Sequence, residues 1–466
     1  MRRAALALLL GVIALATQPA RADENSDLDL IPSTAPPAPP PAGTVTAGAG
    51  QRLYVENAFT AASHRALLVP LPPPASPNWE ERLFFDARKE WRLGDNVRAI
   101  YSGRLNLRAE DTLPIPNHEN IRHDFREGYL SWQAAPQTFL DFGRINLKSG
   151  VAAGFNPTDF FKTRSVVEPL SSDPAVLRED RLGTLMLRGQ QLWEHVGVTA
   201  AFAPKLYDPS LIYTNTSLPS FDPMLDRTNA HDRFLLKADA NLAENFSPEL
   251  LFYREGNATR WGANLTESIG QSIVAYGEWS GGSRASLIDD ALRYGRTTGT
   301  IPANAPSALP ENARKSFQNT LSLGASYTVA QITFNLEYHY DQAAFSRQDW
   351  RNWFRIGSAN AANHAITNQL WYLRSYAADQ QEPISKQTAF LRADWVDAFI
   401  SKLELTALTS VDLYDGSAFG QVTADYYLSN QWTIGALASA NLGTKRSDFG
   451  SLPQAASVMV KLARYF

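Results

Sequence analysis

The sequence predicts an all-β fold, a closed antiparallel transmembrane β-barrel of eighteen strands with short periplasmic turns and long extracellular loops. Three observations carry that prediction. Beyond residue 50 the chain is built from segments of about 8 to 13 residues in which apolar and polar side chains alternate. Those segments are joined alternately by very short and by long connections. The last segment, 455–466, alternates to its end and closes on Tyr465 and Phe466.

Alternation is plain in three places. Leu83, Phe85, Ala87, Trp91 and Leu93 oppose Arg82, Asp86, Arg88, Glu90 and Arg92, with Phe84 and Lys89 off the pattern. Ile332, Phe334, Leu336, Tyr338 and Tyr340 oppose Thr333, Asn335, Glu337, His339 and Asp341. Leu403, Leu405, Ala407, Val411 and Leu413 oppose Lys402, Glu404, Thr406, Ser410 and Asp412. A soluble sandwich shows such alternation too, because one face of each sheet is a core and the other is wet. A secreted β-sandwich that binds or degrades polysaccharide is therefore the competing fold.

Loop lengths separate the two. The predicted strands are 51–58, 81–93, 97–108, 124–134, 138–148, 181–192, 196–206, 231–242, 248–256, 259–267, 271–281, 314–328, 331–342, 386–396, 402–413, 416–428, 431–442 and 455–466. Short turns fall at 94–96, 135–137, 194–195, 243–247, 268–270 and 429–430, with long loops between them. An even count returns the C-terminus to the side where the barrel began, as in bacterial barrels. That parity depends on 51–58.

Before the barrel, Arg2 and Arg3, an apolar run over 4–16 and Ala20-Arg21-Ala22 read as a cleaved signal peptide spanning 1–22. The run is shorter than the roughly 20 residues a membrane helix needs. Residues 23–50, rich in Pro and Ala, cannot build a core and read as a disordered periplasmic lead-in, leaving 51–466 for the barrel. Composition adds exclusions. The chain has no cysteine, so disulfides and thiolate sites are out. Without the leader's three arginines, 40 basic residues face 47 acidic ones, which rules against a general nucleic-acid binder. Trp and Tyr, 11 and 17 residues, suit membrane interfaces.

Arginine is concentrated on the polar parity of the early strands: Arg88 and Arg92, then Arg98, Arg104 and Arg108, then Arg126, Arg144 and Arg188. These eight are the candidate pore-lining residues. Arg126 and Arg144 fit least well, because Phe125 and Tyr129, or Leu140 and Phe142, force a choice of face. An arginine ladder would draw anions and grip carboxylate or phosphate. Internal salt bridging with Asp86, Glu90, Glu127 and Asp141 is the competing reading.

The stretch 142–161 is the most distinctive in the chain. A strand leaves through Gly143, Gly150 and Gly154 into Asn156-Pro157-Thr158-Asp159, a turn-initiating sequence, followed by Phe160 and Phe161. It resembles the "G-R/K … G … N-P-x-D" feature of alginate-export-type and related outer-membrane barrels. That resemblance implies eighteen strands and, in members that export uronate polysaccharide, an electropositive pore. The loop 149–180 is long enough to fold inward as a constriction carrying Asn156, Asp159, Phe160 and Phe161, or to stay on the surface. The chain end resembles the signature by which the barrel assembly machinery recognises its substrates, with Tyr465 and Phe466 as the signal.

In the longest loop, 343–385, the aromatics of 345–354 recur near helical spacing and predict a short amphipathic helix over the pore mouth, packed on the rim or stacking sugars. The seven histidines form no H-E-x-x-H, and no G-x-S-x-G or phosphate loop occurs. His118 and His123, with Glu119 and Asp124, read as solvated loop charge. The function expected is therefore a passive outer-membrane channel for polar solutes, anionic ones included, or polysaccharide, without enzyme activity, metal or cofactor. Its expected partners are outer-membrane lipid and lipopolysaccharide, the assembly machinery and the solute.

Overall fold

The computed structural model describes residues 51–466 apart from 72–75, 113–119, 168, 209–221, 244 and 313. The expected leader, 1–22, and lead-in, 23–50, lie outside the described residues, as does His118. Eighteen strands are described: β1 (Gln51–His64), β2 (Trp79–Arg92), β3 (Val97–Glu110), β4 (Ile121–Ala135), β5 (Thr138–Ile145), β6 (Thr184–Leu192), β7 (Val196–Ala203), β8 (Arg233–Ala240), β9 (Glu249–Glu255), β10 (Ala258–Ile269), β11 (Ile273–Arg284), β12 (Ser316–Val329), β13 (Ile332–Asp341), β14 (Gln387–Trp395), β15 (Leu403–Asp412), β16 (Ala418–Tyr427), β17 (Trp432–Leu442) and β18 (Gln454–Tyr465). Every predicted segment overlaps one of them. The first runs six residues further than expected, to His64, and so pairs along most of β18.

Each strand is antiparallel to its chain neighbours, and β1 pairs with β18 from Tyr54 opposite Tyr465 to His64 opposite Gln454. The sheet is closed. Closure leaves no edge with unpaired backbone groups, the condition for a sheet surrounded by lipid, and it excludes the two-sheet sandwich.

One end of the barrel carries short links, such as 93–96, 136–137, 270–272 and 330–331. The other carries the long ones, 65–78, 111–120, 146–183, 204–232, 285–315, 342–386 and 443–453. Two short links, 256–257 and 413–417, break the rule at the long-loop end. The first is a two-residue hairpin turn with Gly256 at φ +54°, a conformation glycine adopts without a Cβ clash.

The alternation becomes two faces. Leu130, Phe142, Leu187, Leu250, Leu336 and Val422 stand exposed on the outside. Trp91, Trp132, Trp193 and Tyr427 ring the short-turn end, and Trp79, Trp261, Phe317 and Tyr338 the other. Two aromatic girdles about an apolar band are the exterior of a lipid-embedded barrel.

In their described residues the long loops fold over and into the barrel. Helices α1 (Pro174–Glu179), α2 (Leu225–Thr228), α3 (Leu287–Thr298), α4 (Arg347–Ala359) and α5 (His364–Gln380) all lie in them. A buried cluster of Val69, Leu292, Phe345, Trp353, Leu370 and Trp371 binds α3, α4, α5 and the 65–78 loop into a cap. Ser346 and Asp349 close a capping box that starts α4 where its aromatic stripe begins. The predicted helix is present, and its aromatics Trp350, Trp353 and Phe354 are buried in the cap rather than presented to a sugar.

Candidate functional site

Parity decides which side chains enter the lumen. On β2 and β3 the even-numbered residues do, so Arg88, Arg92, Arg98, Arg104 and Arg108 share a face with buried Asp86 and Asn106. A β-bulge then resolves the conflict over Arg126. Ser102 pairs with Glu127 and Gly103 with Phe125, which leaves Arg126 as an extra residue. Asp124 and Arg126 thus point inward above the bulge, and Tyr129 and Ser131 below it. Arg144 is different. It takes the outward parity of exposed Leu140 and Phe142 and is buried, donating through Nε to the Gly183 carbonyl at 2.8 Å and through Nη1 to that of Pro223. Seven of the eight arginines face the lumen; Arg144 anchors a loop.

Most of the inward arginines are neutralised. Asp86, fully buried, accepts Arg104 Nε at 2.8 Å and Arg126 Nη2 at 2.6 Å, with Arg52 at 3.5 Å. Asp180 takes Arg104 in a two-pronged contact, 2.9 Å on each arm, and Arg126 at 3.0 Å. Arg188 pairs with Asp141 at 2.6 Å and Arg98 with Glu90 at 3.3 Å. Arg108 pairs with Glu110 and Glu80. Glu127, expected as a salt-bridge partner, instead accepts the backbone N–H of Asn146 at 3.1 Å. Arg88 and Arg92 are exposed within the lumen and pair with no carboxylate among the described residues. Arg88 nonetheless faces the inward loop. Burial raises the Glu179 carboxyl, but Lys148, then Arg52 and Arg88, outweigh it and hold the group below the usual carboxylate range.

Loop 146–183 crosses the lumen. It leaves β5 through Gly150 at φ +94°, where a Cβ would stand 2.7 Å from both Glu278 carboxylate oxygens. Glu278, on β11 and buried, accepts the Val151 and Ala152 amides, Asn156 Nδ2 at 2.8 Å and Thr158 Oγ1 at 3.0 Å. Glu337, on β13, accepts the Ala153 amide and that of Gly154 at 3.0 Å, with Tyr276 Oη at 2.7 Å and His339 Nε2 at 2.6 Å on the same carboxylate. Phe160 and Phe161 pack on Met186, Leu235 and Tyr253, the inner face of β6 to β9. Asp159 pairs with Arg181 at 2.8 Å, both buried. Further along, Asp173 reaches Arg392 of β14 at 3.2 Å, Ser171 reaches Gln421 of β16 at 2.9 Å, and Asp180 returns to β3 and β4. The four residues expected at a constriction, Asn156, Asp159, Phe160 and Phe161, are all inside the barrel.

Sequence reasoning did not single out Glu278, Glu337, Asp180 or Lys162. Glu278 and Glu337 stand on inward parity and were legible as lumenal; their partner was not, because it lies more than a hundred residues away. Lys162 is buried with Nζ 2.7 Å from the Asn156 carbonyl and 4.1 Å from the Phe155 ring centre. Burial pushes it down to about 8 against the opposing pull of Glu382, Asp159 and Glu278. His123, expected in a loop, belongs to β4 with Asp124, and its Nε2 lies 3.1 Å from Tyr101 Oη.

The closed eighteen-stranded barrel has solved counterparts. OccK5 (OpdH) of Pseudomonas aeruginosa superposes with a TM-score of 0.52 over 90% of this chain and 97% of its own, at 9% identity. The chain shares the fold of the Occ barrels. OccAB1 of Acinetobacter baumannii gives 0.50 over 90% and 96%, also at 9% identity. No family model matches the sequence and no curated protein does, so the likeness is one of structure.

Proposed function

We propose that this chain is an outer-membrane diffusion channel for small polar solutes with a preference for anions. The observation that carries the proposal is the inward loop: a charged lumen inside an apolar exterior is crossed by a segment tied to opposite walls through Asp180 on Arg104 and through Glu278 and Glu337 on backbone amides. Such a crossing narrows a water-filled passage without closing the wall, and passage through it needs no cofactor. The Occ barrels that it resembles in fold are consistent with that reading. Arg88 and Arg92, which form no direct ion pair among the described residues, support the anion preference, since fixed charge within a low-dielectric wall raises local counter-ion concentration.

The alginate-export-type resemblance suggests a polysaccharide instead. The loop's attachments to β3, β11, β13, β14 and β16 favour small solutes over a polymer chain. Tyr465 and Phe466 end the strand that closes the barrel, which supports their role in recognition by the assembly machinery.

Purified full-length chain reconstituted in planar bilayers tests the reading. Discrete conductance steps are expected, with a reversal potential displaced toward anions at low salt. A protein that inserts as a folded barrel and conducts nothing, or that prefers cations, overturns it.

A further inference from the structure

Above β13 to β17 the rim carries a second concentration of arginine. A cavity of about 460 Å³ there is lined by Arg347, Arg351 and Arg355 of α4, by Arg446, and by Trp350 and Tyr414. Asp415 is its one acidic lining residue. Arg347, Arg351 and Arg355 stack at i, i+4 and i+8, a like-charge ladder that weakens an isolated helix by a few tenths of a kcal/mol per pair. Arg347 is moreover the first residue of α4, where the helix dipole disfavours a cation. Among the described residues none of the four guanidiniums pairs with a carboxylate; Arg347 lies 5.4 Å over the Tyr414 ring and Arg355 donates to Asn352 Oδ1 at 3.3 Å. Local contacts therefore leave the cluster unneutralised in a chain whose net charge is −4.

Tyr414 places the cavity at the top edge of the wall. Burial pushes its phenol up, and Tyr340, Asp412 and Tyr338 add to it. The two tyrosines share the outward parity of exposed Leu336, whereas Asp412 is buried on the inward one. Directly below, the outer face of β14 to β17 holds an apolar groove of about 400 Å³ floored by small residues, among them Ala393, Ala407, Gly420, Ala438 and Ala440. Leu391 and Val422 form its sides. Thr409 in this groove is three residues, about 10 Å, from the end of β15, and Tyr414 is two residues beyond that end, so groove and cavity are at most about 17 Å apart along the wall. Cations at headgroup height over a cleft at acyl-chain height select an anionic lipid by charge and shape together.

We propose that this rim is a docking site for a phosphorylated, multiply acylated glycolipid of the outer leaflet. Arg347, Arg351, Arg355 and Arg446 hold its phosphates, and the small-residue groove seats one acyl chain. This rests on the outer-membrane reading above. It does not rest on the lumen.

The test is native mass spectrometry of the full chain in a neutral detergent, offered diphosphoryl lipid A, monophosphoryl lipid A, phosphatidylglycerol or inorganic phosphate. One diphosphoryl lipid A is expected to stay bound, monophosphoryl lipid A to bind more weakly, and phosphatidylglycerol to be lost. Arg351→Gln/Arg355→Gln/Arg446→Gln should weaken retention by about tenfold or more, as loss of over 1.4 kcal/mol implies. Gly420→Leu/Ala438→Leu should do the same by filling the groove. A Cβ on Gly420 meets only the Leu408 carbonyl, at 4.0 Å, so a side chain can start there without moving the backbone. Heat-modifiable gel mobility checks that each variant folds. Equal retention of phosphatidylglycerol, displacement of lipid A by inorganic phosphate, or unchanged binding by both variants overturns the proposal. Conductance separates the two readings: lipid retention without a conducting pore sinks the channel alone, and a pore of normal conductance with indiscriminate lipid binding sinks the docking site alone.

Discussion

Arg104 holds Asp180 with both arms of its guanidinium at 2.9 Å, joining the last residues of the lumen-crossing loop to the wall of β3. The same arginine donates Nε to Asp86 and Nη2 to Tyr54 Oη at 2.8 Å, so loop, β1, β2 and β3 meet on one side chain.

Asp180→Asn is expected to loosen the loop. Charged hydrogen bonds contribute about 2 kcal/mol each, and losing that much shifts the ratio of held to released loop by about thirtyfold. Single-channel recordings should show larger and noisier steps. Recordings indistinguishable from the parent would mean that the attachments to β11, β13, β14 and β16 hold the loop without Asp180.

Glu278→Gln removes the charge that faces two backbone amides, Asn156 and Thr158. Local opening of the loop should become about tenfold more frequent for a loss of about 1.4 kcal/mol. Limited proteolysis within 149–180 should speed up in proportion while the barrel stays resistant. Cleavage at the parental rate would show that the amides find other acceptors.

Arg88→Gln should move reversal potential away from anions, and Arg88→Lys should leave it in place. Removing a neutral pair, Arg188→Gln/Asp141→Asn, should move it little, because the net lumenal charge is unchanged. The Arg88 effect should fade as salt rises, since screening acts over about 10 Å at 0.1 M. Equal shifts in the pair variant and in Arg88→Gln would remove the argument for charge outside direct ion pairs.

Lys162 sets a pH dependence whose sign is fixed by its burial. Its folded value is about 8, below the ordinary 10.5, so between those values the unfolded chain carries a proton that the folded one has released. Stability contributed by this site therefore rises as pH climbs from about 8 to 10.5, and below 8 the cost of the buried cation is fully present. The midpoint of urea unfolding should increase across that window and the increase should shrink in Lys162→Met. A Lys162→Met profile as steep as the parent's would assign the effect to other groups.

Phe466→Ser should lower the amount of folded barrel in the outer membrane without altering conductance per channel. The Phe466 amide donates to Leu53 at 3.0 Å, at the seam where β18 meets β1. A normal yield would detach the terminal aromatic from assembly.

What the sequence by itself determined was the wall. A strand reverses its face at every residue, so period-2 alternation marks lipid side and lumen side wherever no bulge intervenes, and turn length supplies the count. The same parity placed Arg88, Arg98, Arg104 and Arg108 on one face before any coordinate was known. Two arginines escaped it for definite reasons. The bulge at Arg126 shifts the parity by one residue within β4, and Arg144 obeys the outward parity but is bonded to a distant loop. The helix Leu287–Thr298 left a signal that was not taken up, Ser286 three residues before Asp289 ahead of Leu287, Ala291 and Leu292. Only the tertiary structure decided where the long loops go and which charges cancel. Asp180 lies 76 residues from Arg104, and Glu278 lies 126 from Ala152. No local period encodes such meetings: they arise because the closed wall brings distant strands around one small space, in which every buried charge and amide must find a partner.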